Sequence, residues 1–253
     1  MPDPYTAAML PVAALEALRA RARRLLVVLP HPDDEAYGCA GLLRRYGDDP
    51  GAATALFCLT RGEASAMGRE RGIGPDEVAA IRRARLDEVA RLVDLDVLIP
   101  GTFPDSGLAR HDVHEVIGAI RGVLDAFEPQ VVVGHDPRGI NAHPDHIASH
   151  WALRHALHGR PIRFAMLAYP PEVAEMAKPR LLFPTPPEDM DARITLTERE
   201  IEAKERCLRV HDALVTLVDD ESDKMKLRPA VERFDFFGES FDPPLDDLFD
   251  GLA

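Results

Sequence analysis

The chain has 253 residues, 46% of them hydrophobic and 6% aromatic, enough to bury a full core as one domain. Its 30 Lys and Arg stand against 43 Asp and Glu, a formal net charge of −13, which argues against nucleic acid and anionic membrane surfaces and favours a neutral or small substrate. Cys39, Cys58 and Cys207 form no CxxC pair, no apolar run approaches the roughly 20 residues that cross a bilayer, and the start "MPDPYTAAML" lacks the basic region of a secretion signal; a cytoplasmic protein without disulfides is expected.

A short helix is predicted over residues 11–24, followed by a continuous β-type run over 25–29, the pattern of a strand covered on both faces. Similar runs follow at 53–59, 96–99, 131–133 and 164–168. Between them, 76–93 and 114–127 carry apolar residues at helical spacing. Strands alternating with helices predict an α/β fold, a Rossmann-like three-layer sandwich with a mostly parallel sheet in a single domain over 1–253. The proline-rich 170–187 reads as a loop or lid, 197–218 as a long helix, and 219–253 as an acidic C-terminal extension docked on the body.

In such sheets ligands sit beyond the carboxyl ends of the strands. His31, Thr60-Arg61-Gly62-Glu63, Asp105 and His135 all follow predicted strands and so share that edge. The first strand runs into "PHPDDE" (30–35), and a second His-Pro-Asp triplet occurs at 143–145 in "NAHPDHIASH". Two histidines and one aspartate are the donor set of a hydrolytic zinc site with one position left for water. Two adjacent acids can diverge, one to the metal and one to take the proton from attacking water. A further histidine can stabilise the oxyanion or protonate the leaving amine.

The two stretches, with "LTRGEAS" (59–65), "RLDEVARLVDL" (85–95), "FPDSGL" (103–108) and "KERCLRVHDAL" (204–214), resemble the PIG-L/LmbE-like zinc-dependent N-deacetylases. The resemblance implies that His31, Asp34 and His146 bind Zn2+, with Fe2+ or another divalent metal as an alternative. It implies Asp33 as general base, His143 as the residue that stabilises the tetrahedral intermediate or protonates the amine, and Asp145 as its orienting partner. Arg85 and Asp105 match sugar-contacting positions. Glu35 reads as a structural acid in a first helical turn, His150 as a residue behind the site or on the surface with a fourth metal ligand as the alternative, and His135 and His211 as pocket-wall candidates.

The implied activity is removal of acetate from an N-acetylglucosaminyl small-molecule conjugate, of the kind made on the way to bacillithiol or mycothiol. An amidase of thiol S-conjugates, a deacetylase of another N-acetyl sugar and a non-catalytic sugar- or metal-binding module are the alternatives. No nucleic-acid or membrane partner is expected, and a homo-oligomer is compatible with the sequence. One departure from the family pattern stands next to the site: Asn141-Ala142 occupies the place where relatives of the small-thiol pathways often carry tyrosine and glycine.

Overall fold

The computed structural model describes residues 12–177, 181–212 and 230–252. Its strands are β1 (Arg23–Leu29), β2 (Ala52–Thr60), β3 (Val97–Phe103), β4 (Val131–Gly134), β5 (Arg163–Ala168), β6 (Ala192–Thr195) and β7 (Val231–Phe236). They form one sheet in the order β3-β2-β1-β4-β5-β7-β6. The first five pair in parallel, and β7 runs antiparallel to both β5 and β6. This is the Rossmann-like architecture expected from the alternating pattern.

Alternation along β1 divides the core. Leu25, Val27 and Leu29 face one apolar cluster, while Leu26 and Val28 face the other. The first cluster is closed by α2 (Ala40–Gly47), α3 (Pro75–Leu92) and α6 (Glu198–Val210). The second is closed by α1 (Val12–Arg19), α4 (Val113–Phe127) and α5 (Pro144–Leu157). Burial on both faces explains why β1 and β2 read as unbroken apolar runs rather than alternating ones.

The helix starts carry their own signals. Proline occupies the first turn of α3 and α5, where its missing N–H is no loss, and Thr197 with Glu200 forms a reciprocal capping box on α6. The long helix expected over 197–218 ends at Val210, with His211 and Asp212 in a turn; its remaining residues lie outside the described ones.

The expected C-terminal extension divides differently. Residues 231–236 are not a docked tail but an inner strand, placed between β5 and β6. Glu232 on this strand is 3% exposed, accepts N–H bonds from Gly41 (3.0 Å) and Leu42 (2.8 Å) at the start of α2, and meets Lys204 Nζ of α6 at 2.6 Å. Arg163 of β5 then ties down the chain beyond β7, donating to the carbonyls of Leu248 and Asp250 and to Glu239. Among the described residues, no helix is long and apolar enough to cross a membrane.

Candidate metal centre and active site

After β1 the chain passes to α2 on one face of the sheet, and after β4 to α5 on the other. The crevice that opens where neighbouring strands diverge in this way is the ligand position of open α/β sheets. His31 lies two residues past β1 and His135 immediately past β4.

The β4–α5 connection shapes the site through its backbone. Gly139, Ile140 and Ala142 all have positive φ (65°, 61° and 62°), and Asp136 Oδ1 braces the turn by accepting the Ile140 N–H at 2.7 Å. A Cβ on Gly139 would lie 2.8 Å from Ile147 and 3.0 Å from His146, so glycine is required by space as well as by φ. That close approach delivers the Gly139 carbonyl to His146, whose Nδ1–H donates to it at 3.1 Å. The bond fixes the tautomer and leaves the Nε2 lone pair facing the crevice.

His31 is oriented in the same manner from the other side. Its Nε2 lies 3.1 Å from Asp105 Oδ1 and 3.4 Å from Asp145 Oδ2, and its Nδ1 faces His146 Nε2 at 3.2 Å. Asp34 gives one oxygen to each ring: Oδ2 accepts the His31 backbone N–H at 2.9 Å and lies 3.6 Å from His31 Nδ1, while Oδ1 lies 3.4 Å from His146 Nε2. Ligands held at zinc–nitrogen and zinc–oxygen bond lengths stand about 3.4 Å apart in a tetrahedron. His31, Asp34 and His146 have the donor chemistry of a divalent-cation site, with Asp34 offering a different oxygen to each ring.

Two more imidazoles flank these three residues. His135 stacks on His146 with ring centroids 4.0 Å apart, its Nε2 3.9 Å from Asp34 Oδ1, and its buried Nδ1 has no hydrogen-bond partner among the described residues. His143 lies 4.7 Å from the His31 ring and 4.8 Å from that of His146. Donor atoms within reach of a common ion thus group as His31, His143 and His146, as Asp34, His135 and His146, and as His31, Asp105 and Asp145.

Charge is arranged to match. Burial opposes ionisation of Asp34, but His146, His135 and His31 outweigh it and hold the carboxyl far below its usual range. Burial pushes His146, His143 and His135 downward, toward the neutral form that ligates metals. His31 goes the other way: burial lowers it, yet Asp105, Asp145 and Asp34 together raise it well above the ordinary value.

Asp33 lines a cavity of about 410 Å³ together with His31, Asp34 and His146. Burial raises its pKa to about 6 against the pull of Arg82, whose guanidinium lies 2.9 Å from Oδ2. Arg82 also donates to the carbonyls of Pro32 and Gly62. Gly62 has φ 70°, the left-handed region that favours glycine, and the Arg82 side chain passes where its Cβ would lie. The Asp33 backbone has φ 135°, and its N–H is held at 3.0 Å by Glu35 Oε2. Glu35 Oε1 in turn accepts from His211 Nε2 at 2.6 Å.

The structure therefore gathers His31, Asp33, Asp34, Asp105, Asp145, His143 and His146, and separates Arg85 from them. Arg85 is committed to Asp212 and the His211 carbonyl and does not line the cavity; Arg82, one turn earlier on α3, does. The signal was present in the spacing: Arg82 sits four residues from Val78 and from Leu86, on the buried stripe of its helix, where a charge needs a partner. Asp145 also differs in its partner. Its carboxylate serves His31 and the Ala109 N–H (3.3 Å), and what reaches His143 is the Asp145 backbone N–H, donated to Nδ1 at 3.2 Å. Asp105 lines the cavity with its oxygens engaged by His31 and by the Ala64 N–H at 3.0 Å. His150 supports the site from behind, bonded through Nδ1 to the His135 carbonyl at 2.8 Å.

Fold and site together define an α/β protein of Rossmann-like topology with a cluster of His and Asp side chains at its switch point that could hold a metal ion. The chain belongs to the PIG-L family, described as GlcNAc-PI de-N-acetylase, whose model matches residues 26–157, more than half of it. It is 35% identical over 171 residues to 1D-myo-inositol 2-acetamido-2-deoxy-alpha-D-glucopyranoside deacetylase 2 of Saccharopolyspora erythraea, covering 59% of this chain and 60% of that one. With the corresponding deacetylase of Mycobacteroides abscessus it shares 28% identity over 236 residues, covering 79% and 84%. For most of the similar curated proteins, the chain spans only about half to three-fifths of their length. Its fold is that of teicoplanin deacetylase in its zinc-inhibited form, with TM-score 0.64 at 18% identity over 84% of this chain and 96% of that one.

Proposed function

We propose that the protein is a metal-dependent N-deacetylase that hydrolyses the acetamide of an N-acetylglucosaminyl small-molecule conjugate to a free amine and acetate. The observation that carries this reading is the cluster of His31, Asp34 and His146, in which His31 Nδ1 lies 3.2 Å from His146 Nε2 and Asp34 turns Oδ2 toward His31 and Oδ1 toward His146 at 3.6 and 3.4 Å, beside the partly exposed carboxylate of Asp33, which is held by Arg82. Relatives named as deacetylases of N-acetylglucosaminyl compounds support the substrate class.

His31, Asp34 and His146 would hold the ion, zinc in the first instance, with Fe2+ as an alternative that the same donors accept. When bound, it supplies a lowered pKa for water and polarisation of the amide carbonyl. Asp33 takes the proton of the attacking water as the C–O bond forms, and returns it to the amide nitrogen as the C–N bond breaks.

His143 has a defined part in this scheme. Because its Nδ1 accepts the Asp145 N–H, the neutral ring carries its proton on Nε2. Burial and the neighbouring His31 lower its pKa, favouring that neutral form. His143 therefore acts as a hydrogen-bond donor to the developing oxyanion rather than as an imidazolium, and the amine's proton comes from Asp33.

The test is release of primary amine from a panel comprising N-acetylglucosamine, its inositol and malate glycosides and diacetylchitobiose, with zinc and then with chelator. Chelator-sensitive release from at least one member is expected. Metal-loaded protein that releases amine from none of them overturns the reading.

A further inference from the structure

A second hollow, of about 490 Å³, opens where α5 ends and β5 begins, at the edge of the sheet opposite the His/Asp centre. Ile162 and Phe164 line it from the start of β5. Phe237 is brought beside them by the antiparallel β7, and its N–H donates to the Phe164 carbonyl at 2.9 Å. The second half of α5 supplies Trp151, Arg154 and His155; His158 and Arg160 follow it. His146 lies in the first turn of the same helix, so the two hollows share an element and no residue.

The chain carries a formal net charge of −13, yet no carboxylate lines this hollow and two arginines and two histidines do. The Arg154 guanidinium lies 4.4 Å from the Phe237 ring centre and 5.0 Å from that of Trp151, and among the described residues it has no carboxylate or carbonyl partner. A cation in a last helical turn answers the helix dipole. Here, however, the closing carbonyls of α5 are met by other donors: that of His155 by Arg121 at 3.3 Å and by the His158 N–H, that of Leu157 by the Arg160 N–H at 3.0 Å. A guanidinium that stacks by its face keeps its N–H edge for an oxyanion. Arg160, held by Asp125 at 2.7 Å through one nitrogen, and two exposed imidazoles stand on the same rim. Trp151 is 42% and Phe237 45% exposed, so both rings keep apolar surface that gains free energy by being covered.

We propose that this hollow is a second ligand site, separate from the His/Asp centre, for a phosphate monoester that carries an aromatic ring, of the nucleoside monophosphate class. The phosphate meets the free edge of Arg154 and the unengaged nitrogens of Arg160, with His155 and His158 as further donors. The ring lies on the uncovered surface of Trp151 or Phe237. A dianion with three acceptor oxygens uses a cluster of donors that a lone carboxylate would leave partly unfilled. The volume falls within the roughly 300–1,000 Å³ of small-molecule sites. The site stands independently of the amide-hydrolase reading.

Trp151 is the one tryptophan of the chain, so tryptophan fluorescence reports on this hollow. Zinc-loaded protein is titrated with adenosine monophosphate, adenosine and inorganic phosphate, with a free tryptophan amide as the control for absorbed light. Saturable quenching by the monophosphate is expected, at an affinity at least tenfold above that of either fragment. A stacked base and a charge-assisted hydrogen bond are each worth on the order of tenfold. Arg154→Gln and Phe237→Ser should each weaken binding tenfold or more. Neither side chain is buried, so zinc content and thermal midpoint should match the wild type.

Absence of saturable quenching overturns the proposal, as does equal affinity for the nucleotide and its fragments. So does quenching that is unchanged in both variants, which would put the phosphate on the zinc ion instead. Sedimentation of the same samples supplies the remaining outcome. A chain that self-associates, falls to monomer in Phe237→Ser and does not bind the nucleotide makes this face an interface between copies and overturns the ligand site.

Discussion

His31 and Asp105 meet across the edge of the sheet: Nε2 of His31, just past β1, lies 3.1 Å from Oδ1 of Asp105, just past β3, with β2 between them. This bond presents the other imidazole nitrogen to Asp34 and His146. Removing such an outer partner typically lowers metal affinity 10- to 100-fold. Asp105→Ala is expected at the lower end, because Asp145 still reaches the same nitrogen. Competition against a chromophoric chelator measures this directly, and an unchanged zinc affinity would remove the orienting role.

The Asp33 carboxyl, raised by burial to about 6, must be ionised to act as base. The rate is expected to fall as pH drops through this value, giving an acid limb in kcat/KM with an apparent pKa at or below about 6, since a bound dication favours the ionised form. The limb should vanish, along with nearly all activity, in Asp33→Asn. A wild-type profile flat from pH 8 to pH 4 would contradict the assignment.

Arg82 and Arg85 lie one turn apart on α3 and should behave differently. Arg82→Ala leaves Asp33 and the Gly62 and Pro32 carbonyls without their donor in a buried place, with an expected loss of ~3 kcal/mol of stability and at least tenfold in kcat. Arg85→Ala removes a half-exposed link to Asp212 and should cost at most about 1 kcal/mol, with little change in turnover. Denaturant melts and steady-state kinetics on the two variants compare them. The reverse ranking would place the functional arginine at 85.

The buried Glu35–His211 pair welds the end of α6 to the turn that carries Asp33. Burial lowers the His211 pKa, but Glu35 and Asp33 outweigh it and raise it. The folded protein thus holds this proton more tightly than the unfolded chain. The pair's contribution is complete below pH about 6.5 and fades as pH climbs through the raised folded value. His211→Leu should cost ~3 kcal/mol, with the deficit largest at low pH, and should depress kcat while leaving zinc content unchanged. Thermal melts from pH 5 to 9 with metal analysis check it; a deficit that grows with pH would be the wrong sign.

Much of this was legible in the sequence because the relevant signals are local. An apolar run ending in His-Pro-Asp-Asp announces a strand end, and proline followed by acids announces a helix start, so the parallel sheet and the position of both motifs follow from short stretches. The partners of Asp105, Asp145 and Arg82 are set by contacts between distant segments, which no local pattern encodes. β7 was hidden for a related reason. Its sequence "VERFDF" alternates apolar and charged residues like an exposed tail, yet Glu232 is buried because Lys204 and two helix N–H groups meet it there.

The central claim is that Asp33 acts on an amide beside an ion held by His31, Asp34 and His146. Its most direct test measures zinc content and amine release on the same preparations of wild type and Asp33→Asn, using the best substrate of the panel. One zinc per chain is expected in both proteins, with chelator-sensitive release from the wild type and release lowered by several orders of magnitude in the variant. Zinc-loaded Asp33→Asn releasing amine at the wild-type rate would contradict it, as would wild-type release untouched by complete removal of metal.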